Sequence, residues 1–196
     1  VVLTFDDGPD PIYTPRVLDT LRDLDAPAAF FVLGDQAMKY PELVRRIDRE
    51  GHVVGNHSFR HPHIDQIGED GLLLELRSTE RVLEGELGHY TPFFRAPYTA
   101  AFDAAEPELL ASHLPAFEAG YDIVGGDVDP ADWEQPGAAV IAERIVAQVE
   151  SGGRIVVLHD AGGDRTQTVE ALQAAIPRLR ARGYPIVSLD RHLGVA

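Results

Sequence analysis

Cysteine is absent from the 196 residues, which removes disulfides and thiolate metal sites together. Any metal bound here must therefore be held by His, Asp or Glu. No run of about 18 apolar residues occurs, so nothing in the sequence has the length to cross a bilayer as a helix. Positive charge is scarce: 17 basic against 32 acidic side chains leave a formal charge of −15. A nucleic-acid partner needs a basic face, and so does docking on anionic lipid; the charge balance argues against both. There is no G-x-S-x-G elbow, which argues against a serine esterase. The glycines of G-G-D-V and H-D-A-G-G-D lack the pattern of a phosphate-binding loop. A leader peptide is also missing, but Val1 opens directly inside an apolar run. The chain 1–196 therefore reads as one domain excised from a longer precursor, and the missing leader says nothing of compartment.

What is present is an ordinary globular composition, 44% apolar and 25% charged, of a size that builds one core. Strand-like runs at 1–5, 28–34, 52–57, 92–98, 121–128, 154–160 and 184–189 alternate with helix-like segments. The first helix shows the logic: Thr14 is a candidate cap, Pro15 suits the first helical position, and Val17, Leu18, Leu21 and Leu24 share one face. Further helical patterns fall at 41–51, 71–88, 107–119, 138–149 and 168–183. Seven strands with six helices between them predict a parallel α/β sheet, either open or closed into a barrel. Residues 99–116 make a long connection, read as an insertion or flap.

The polar residues fall at the C-terminal strand ends: Asp6 and Asp7, His57, Arg95, Asp127 and Asp129, and His159 with Asp160. In a βα barrel those ends share the functional face. His57 and His61 stand four apart, and a helical turn or tight loop brings such a pair together. With one of Asp6 and Asp7 they would give a three-ligand site with an open position for water. The other aspartate would act as general base on that water, held ionised by Arg95. His159 could protonate a leaving group, with its tautomer set by a nearby carboxylate such as Asp129 or Asp132. Trp133, the only tryptophan, is either a core anchor or a wall against a sugar ring.

The segments T-F-D-D-G-P, H-S-F-R-H, R-A-P-Y, D-P-A-D-W and V-V-L-H-D, in this order, resemble the five motifs of the polysaccharide deacetylase (NodB-like) domain, carbohydrate esterase family 4. The resemblance runs from residue 3 to about 190. It implies a single-domain distorted (β/α)7 barrel that hydrolyses N-acetyl groups on a GlcNAc-containing glycan: chitooligosaccharide, peptidoglycan or exopolysaccharide. It implies Asp6 as general base, Asp7, His57 and His61 as metal ligands, Arg95 holding Asp6, and His159 as general acid tuned by Asp132. The Tyr98 backbone N–H would stabilise the oxyanion, and Trp133, Val157 and Leu158 would bind substrate. The metal would be zinc, with cobalt, nickel or manganese as alternatives.

The pattern departs at Ala96, Thr99 and Val157 and in a longer 99–120 segment. The stretch from R-A-P-Y to H-D-A-G-G-D-R-T-Q-T resembles the bacterial subgroup fused to a family-2 glycosyltransferase, which implies an extracytoplasmic, monomeric module tethered to that domain. O-acetyl esterase activity on xylan, hydrolysis of a small cyclic amide or ureide, and non-catalytic glycan binding are the competing readings. Loss of a ligand or of the acid would favour the last of these, and all are present.

Overall fold

The structure is a computed structural model that describes residues 1–99 and 107–195. Six parallel strands form one curled sheet: β1 (Val2–Asp6), β2 (Ala29–Val32), β3 (Val53–Asn56), β4 (Phe93–Phe94), β5 (Asp122–Ile123) and β6 (Ile155–His159), in the order β5-β4-β3-β2-β1-β6. The helices are α1 (Tyr13–Asp23), α2 (Gly34–Lys39), α3 (Pro41–Arg49), α4 (Ile64–Leu87), α5 (Pro107–Glu118), α6 (Ala138–Glu150), α7 (Thr166–Ala181) and α8 (Leu189–Leu193). None of them is long and apolar enough to cross a membrane.

One segment closes the sheet into a single-domain barrel. Residues 122–123 pair with β4, and the Val124 N–H donates to the Phe94 carbonyl. A few residues later the Asp127 and Val128 N–H groups donate to Ile155 O on β6, and Val128 pairs with Val156. The segment thus spans from one sheet edge to the other, which distorts the barrel and leaves its seam thin.

Alternation along each strand divides the core. Leu3, Phe5, Phe30, Val32, Val156 and Leu158 point outward and pack under α1, α3, α6 and α7. Val2, Ala29, Phe31, Phe93 and Val124 point inward and form a separate cluster with Leu189 of α8. The helix expected over 107–119 is α5 (Pro107–Glu118), whose Ala116 clusters with Leu72 and Leu76 of α4 and with Tyr121 just beyond it. Residues 100–106 of the expected insertion lie outside the described residues.

The expected seventh strand at 184–189 does not form. Pro185 has no N–H to offer a ladder. Two bonds link the segment to Val1, the Val1 amino group to Pro185 O and Val187 N–H to Val1 O, and the chain then turns at once into α8, whose Leu189 plugs the inward cluster.

Candidate active site

The C-terminal strand ends surround a cavity of about 410 Å3 lined by Asp6, Asp7, His57, His61, Tyr98 and His159, among others. Asp6 is the last residue of β1, in register with His159 on β6, so both face inward at the same level. On an extended strand the adjacent Asp7 would face the opposite way. Instead Asp7 leaves the strand at φ +76°, and both carboxylates reach the same cavity. Asp is among the few non-glycine residues that tolerate this left-handed conformation.

His57 to His61 is a loop rather than a helical turn. Asn56 Oδ1 accepts from Ser58 N–H, Glu75 Oε2 accepts from the N–H groups of Phe59 and Arg60, and Ser58 Oγ accepts from His61 N–H. These bonds bend the loop so that both His57 Nε2 and His61 Nε2 approach Asp7 Oδ1, at 3.5 and 3.1 Å. Burial pushes the Asp7 carboxyl up, but the two imidazoles outweigh it and hold the group well below the usual carboxylate range.

This trio fits a divalent metal on its own chemistry. His57 Nδ1 is 2.8 Å from the Arg95 carbonyl, which can only accept. A neutral His57 is therefore protonated at Nδ1 and presents its Nε2 lone pair to Asp7. Asp7 Oδ1 is buried and, among the described residues, makes no hydrogen bond of proper geometry; only the two imidazole Nε2 atoms come near it. The three ligand atoms lie within 4.8 Å of one another. Electron-rich atoms this close, one of them orphaned, are what a cation satisfies.

Asp6 has a different counter-charge. Arg95 is fully buried inside the barrel, and its Nη1 donates to Asp6 Oδ1 at 2.9 Å and to Thr4 Oγ1 at 2.5 Å. Its Nε and Nη2 donate to the carbonyls of Val124 and Gly125, each at 3.1 Å. The guanidinium lies 4.3 Å from the Phe31 ring centroid. Arg95 therefore fixes Asp6 and also ties the closing segment to β1.

His159 pairs with Asp132, which sits on a short 3-10 turn (Asp132–Glu134). His159 Nδ1 lies 2.7 Å from Asp132 Oδ1, while His159 N–H and Thr168 Oγ1 donate to Oδ2 at 3.0 and 2.7 Å. Nδ1 thus carries a proton, and Nε2 is the atom left for chemistry. Burial lowers the imidazole's proton affinity, but the Asp132 bond and charge, with Asp6 and Asp7 beyond, push its pKa up to about 9.

Tyr98 sits at φ +63°, and no described residue accepts from its N–H. Trp133 and Val157 line the cavity as the motifs imply, with Trp133 54% exposed. Leu158 corrects the expectation. Its neighbours Val157 and His159 face inward, so Leu158 faces outward and is buried beneath the helices with Leu3 and Phe5.

Two contributors, Arg165 and Thr168, were missed in the sequence. Arg165, 4% exposed, lines the cavity and donates to the carbonyls of Ala161 and Gly162. Thr168 supports Asp132. Asp160, already among the polar strand-end residues of the sequence, lies fully buried behind the Asp6–Asp7 turn and takes a hydrogen bond from Thr14. An arginine following two glycines after a strand end, in H-D-A-G-G-D-R, was the available signal for Arg165.

The sequence profile of the polysaccharide deacetylase family matches residues 1–113. A peptidoglycan-N-acetylglucosamine deacetylase of Bacillus cereus is 37% identical over 190 residues, covering 96% of this chain and 66% of that protein. A chitooligosaccharide deacetylase of Sinorhizobium fredii is 37% identical over 207 residues, covering 98% of this chain and 91% of its own length. Among solved structures, the Bc1960 peptidoglycan N-acetylglucosamine deacetylase superposes with a TM-score of 0.86 at 34% identity, covering 97% of this chain and 86% of that one. None of these names carries a glycosyltransferase, and the expected tether has no support among them.

Proposed function

The chain belongs to the polysaccharide deacetylase (NodB-like) family, carbohydrate esterase family 4, and from that premise we propose that it removes N-acetyl groups from a GlcNAc-containing glycan by metal-dependent hydrolysis. One observation carries the reading: a buried, orphaned Asp7 oxygen between two imidazoles shares a cavity with an Arg95-held carboxylate and an Asp132-held imidazole.

Asp7, His57 and His61 would hold the metal. Two imidazoles and a carboxylate suit zinc, with cobalt, nickel or manganese as alternatives. When bound, a divalent cation supplies positive charge that polarises an amide carbonyl and acidifies water. Asp6, hydrogen-bonded to Arg95, accepts a proton from the attacking water. The Tyr98 N–H donates to the oxygen on which charge develops. As the carbon–nitrogen bond breaks, protonated His159 gives the Nε2 proton to the departing amine, and acetate and the free amino sugar leave. Asp132 holds that imidazole in the orientation the transfer needs. Trp133 and Val157 flank the space for the acetyl methyl.

Peptidoglycan lies outside the cytoplasmic membrane, and the relatives named for it make an extracytoplasmic location the proposal here. The test is acetate release from chitooligosaccharides, peptidoglycan fragments and acetylated xylan, by chelated protein and after metal add-back. N-acetyl substrates should release acetate only with metal. Release from xylan alone would reassign the domain as an O-acetyl esterase. No acetate from any substrate would overturn the proposal.

A further inference from the structure

His57 and His61 stand at the two ends of one short loop, 57–61. That loop is gripped from both sides. On one side its carbonyls accept from the first amides of α2: Gly34 N–H donates to Ser58 O at 3.0 Å, and Asp35 N–H to Phe59 O at 3.1 Å. The Phe59 ring lies so close over Gly34 that a Cβ there would collide with it. On the other side the N–H groups of Phe59 and Arg60 donate to a single oxygen, Glu75 Oε2 of α4, at 2.8 and 2.7 Å.

Successive amides aimed at one point make a concavity that holds an anion. Here the anion is a side chain of the same domain. Bonds to a charged acceptor are the stronger kind, and the flanking amides have neutral acceptors: Ser58 N–H donates to Asn56 Oδ1 and His61 N–H to Ser58 Oγ. The grip has strain to hold. Ser58 and His61, on either side of the gripped pair, sit at φ +70° and +61°, a region that non-glycine residues keep only when their surroundings enforce it. A loop released from Glu75 regains ordinary backbone angles, and the His61 imidazole loses its aim at Asp7.

We propose that Glu75 is a positioning residue of the metal site: its carboxylate holds the 57–61 loop in the shape that brings both histidine Nε2 atoms to Asp7, and so sets the affinity for a divalent cation. This rests on the metal-dependent deacetylase reading. Glu75 acts through the backbone of the loop and is not itself a ligand. Helix α4 thereby has a second task besides packing, as the brace of the loop that carries two of the three ligands.

The test is the dissociation constant of zinc for chelated protein, read by competition with a chromophoric chelator, with the melting temperature of the metal-free protein measured alongside. Glu75→Ala should weaken zinc binding about tenfold, as loss of an outer support of a metal site does. Glu75→Asp keeps the charge but falls one methylene short of the amides. It should weaken zinc binding in the same direction, and it carries the test if Glu75→Ala does not fold. Glu75→Gln keeps an acceptor oxygen for both amides and should stay within about threefold of the parent. Leu83, about two turns further along α4, is buried in the outer core. Leu83→Ala should lower the melting temperature and leave zinc affinity unchanged, which separates positioning from stability. Zinc affinity unchanged in both Glu75→Ala and Glu75→Asp overturns the proposal. So does a loss in Glu75→Gln or Leu83→Ala equal to that in Glu75→Ala. A parent protein that binds no zinc overturns the metal-dependent reading instead, so the two failures are distinct.

Discussion

Replacing Asp132 by asparagine isolates the residue that sets the proton affinity of His159. The carboxylate touches Nδ1 at 2.7 Å and also accepts from the His159 backbone and from Thr168. In the intact site burial disfavours the imidazolium, and Asp132 with Asp6 and Asp7 more than reverses this, to a pKa of about 9. In the proposed role of His159 as general acid the active form is the protonated one, so kcat/KM should hold through neutral pH and fall as pH rises through about 9. The asparagine side chain keeps the shape and removes the charge that opposes burial. If His159 then returns to an ordinary imidazole value, roughly 6.5, the protonated fraction at pH 8 drops from roughly 90% to roughly 3%, a loss of about thirtyfold. At pH 6 most of that loss should be recovered. The assay is acetate release across pH 5.5 to 10 with metal in excess, and thermal unfolding checks that the variant is folded. A D132N alkaline limb still near pH 9, or an equal loss at pH 6 and pH 8, would refute Asp132 as the tuning residue.

Other predictions follow from the same geometry. Zinc added to chelated protein should raise its melting temperature, by up to about 2.7 kcal/mol of stability at a hundredfold excess over Kd; in His61→Ala the rise should vanish, read by differential scanning fluorimetry. Arg95→Met strands Asp6 in the barrel and cuts the closing segment loose, so urea unfolding should show a loss of about 3–5 kcal/mol. Leu158→Ala should cost about 2–5 kcal/mol in the same assay with KM unchanged, whereas Val157→Ala should shift KM, because adjacent residues serve opposite faces. Burial, with the charges of Asp7 and Asp6, pushes the Asp160 carboxyl up to about 7. A folded pKa above the unfolded value means stability present at low pH and lost as pH rises to about 7. Asp160→Asn should therefore flatten the pH dependence of the melting temperature between pH 4 and 7.

The strand ends bearing Asp6, His57, Arg95 and His159 were readable because β-branched and aromatic runs end abruptly in polar residues, and parallel strands share one functional end. Which neighbour faces the cavity was harder. Val157 and Leu158 are both apolar, and only the pairing of β6 with β1 decides which of them turns inward. The Asp6–Asp7 pair needed a backbone angle: on strand geometry the two would diverge, and the left-handed turn at Asp7 brings them together. The terminal Y-P-I-V-S-L has the composition of a strand, but pairing requires N–H groups and a free edge, and its proline and the plug at Leu189 took precedence. The closing segment was legible only as extended chain. Its contacts with both sheet edges depend on residues far apart in sequence.

Asp7, Ser58, His61, Tyr98 and Ala131 share an unusual backbone state: each is a non-glycine residue at positive φ, in the turns after β1, β3 and β4 and ahead of the Asp132 turn. Such a residue costs roughly 1–2 kcal/mol against an ordinary conformation, less for aspartate. Together they set a limit on improving this domain by loop redesign. Glycine at any of these positions would relax the chain, but at Asp7 or His61 it would delete a side chain of the proposed metal site, and at Tyr98 a ring that lines the candidate active-site cavity. Heat tolerance would have to come from the helical layer around Leu158, where a tighter fit asks nothing of the mouth. A stabilised variant whose gains lie in these loops should be suspected of having given up its activity.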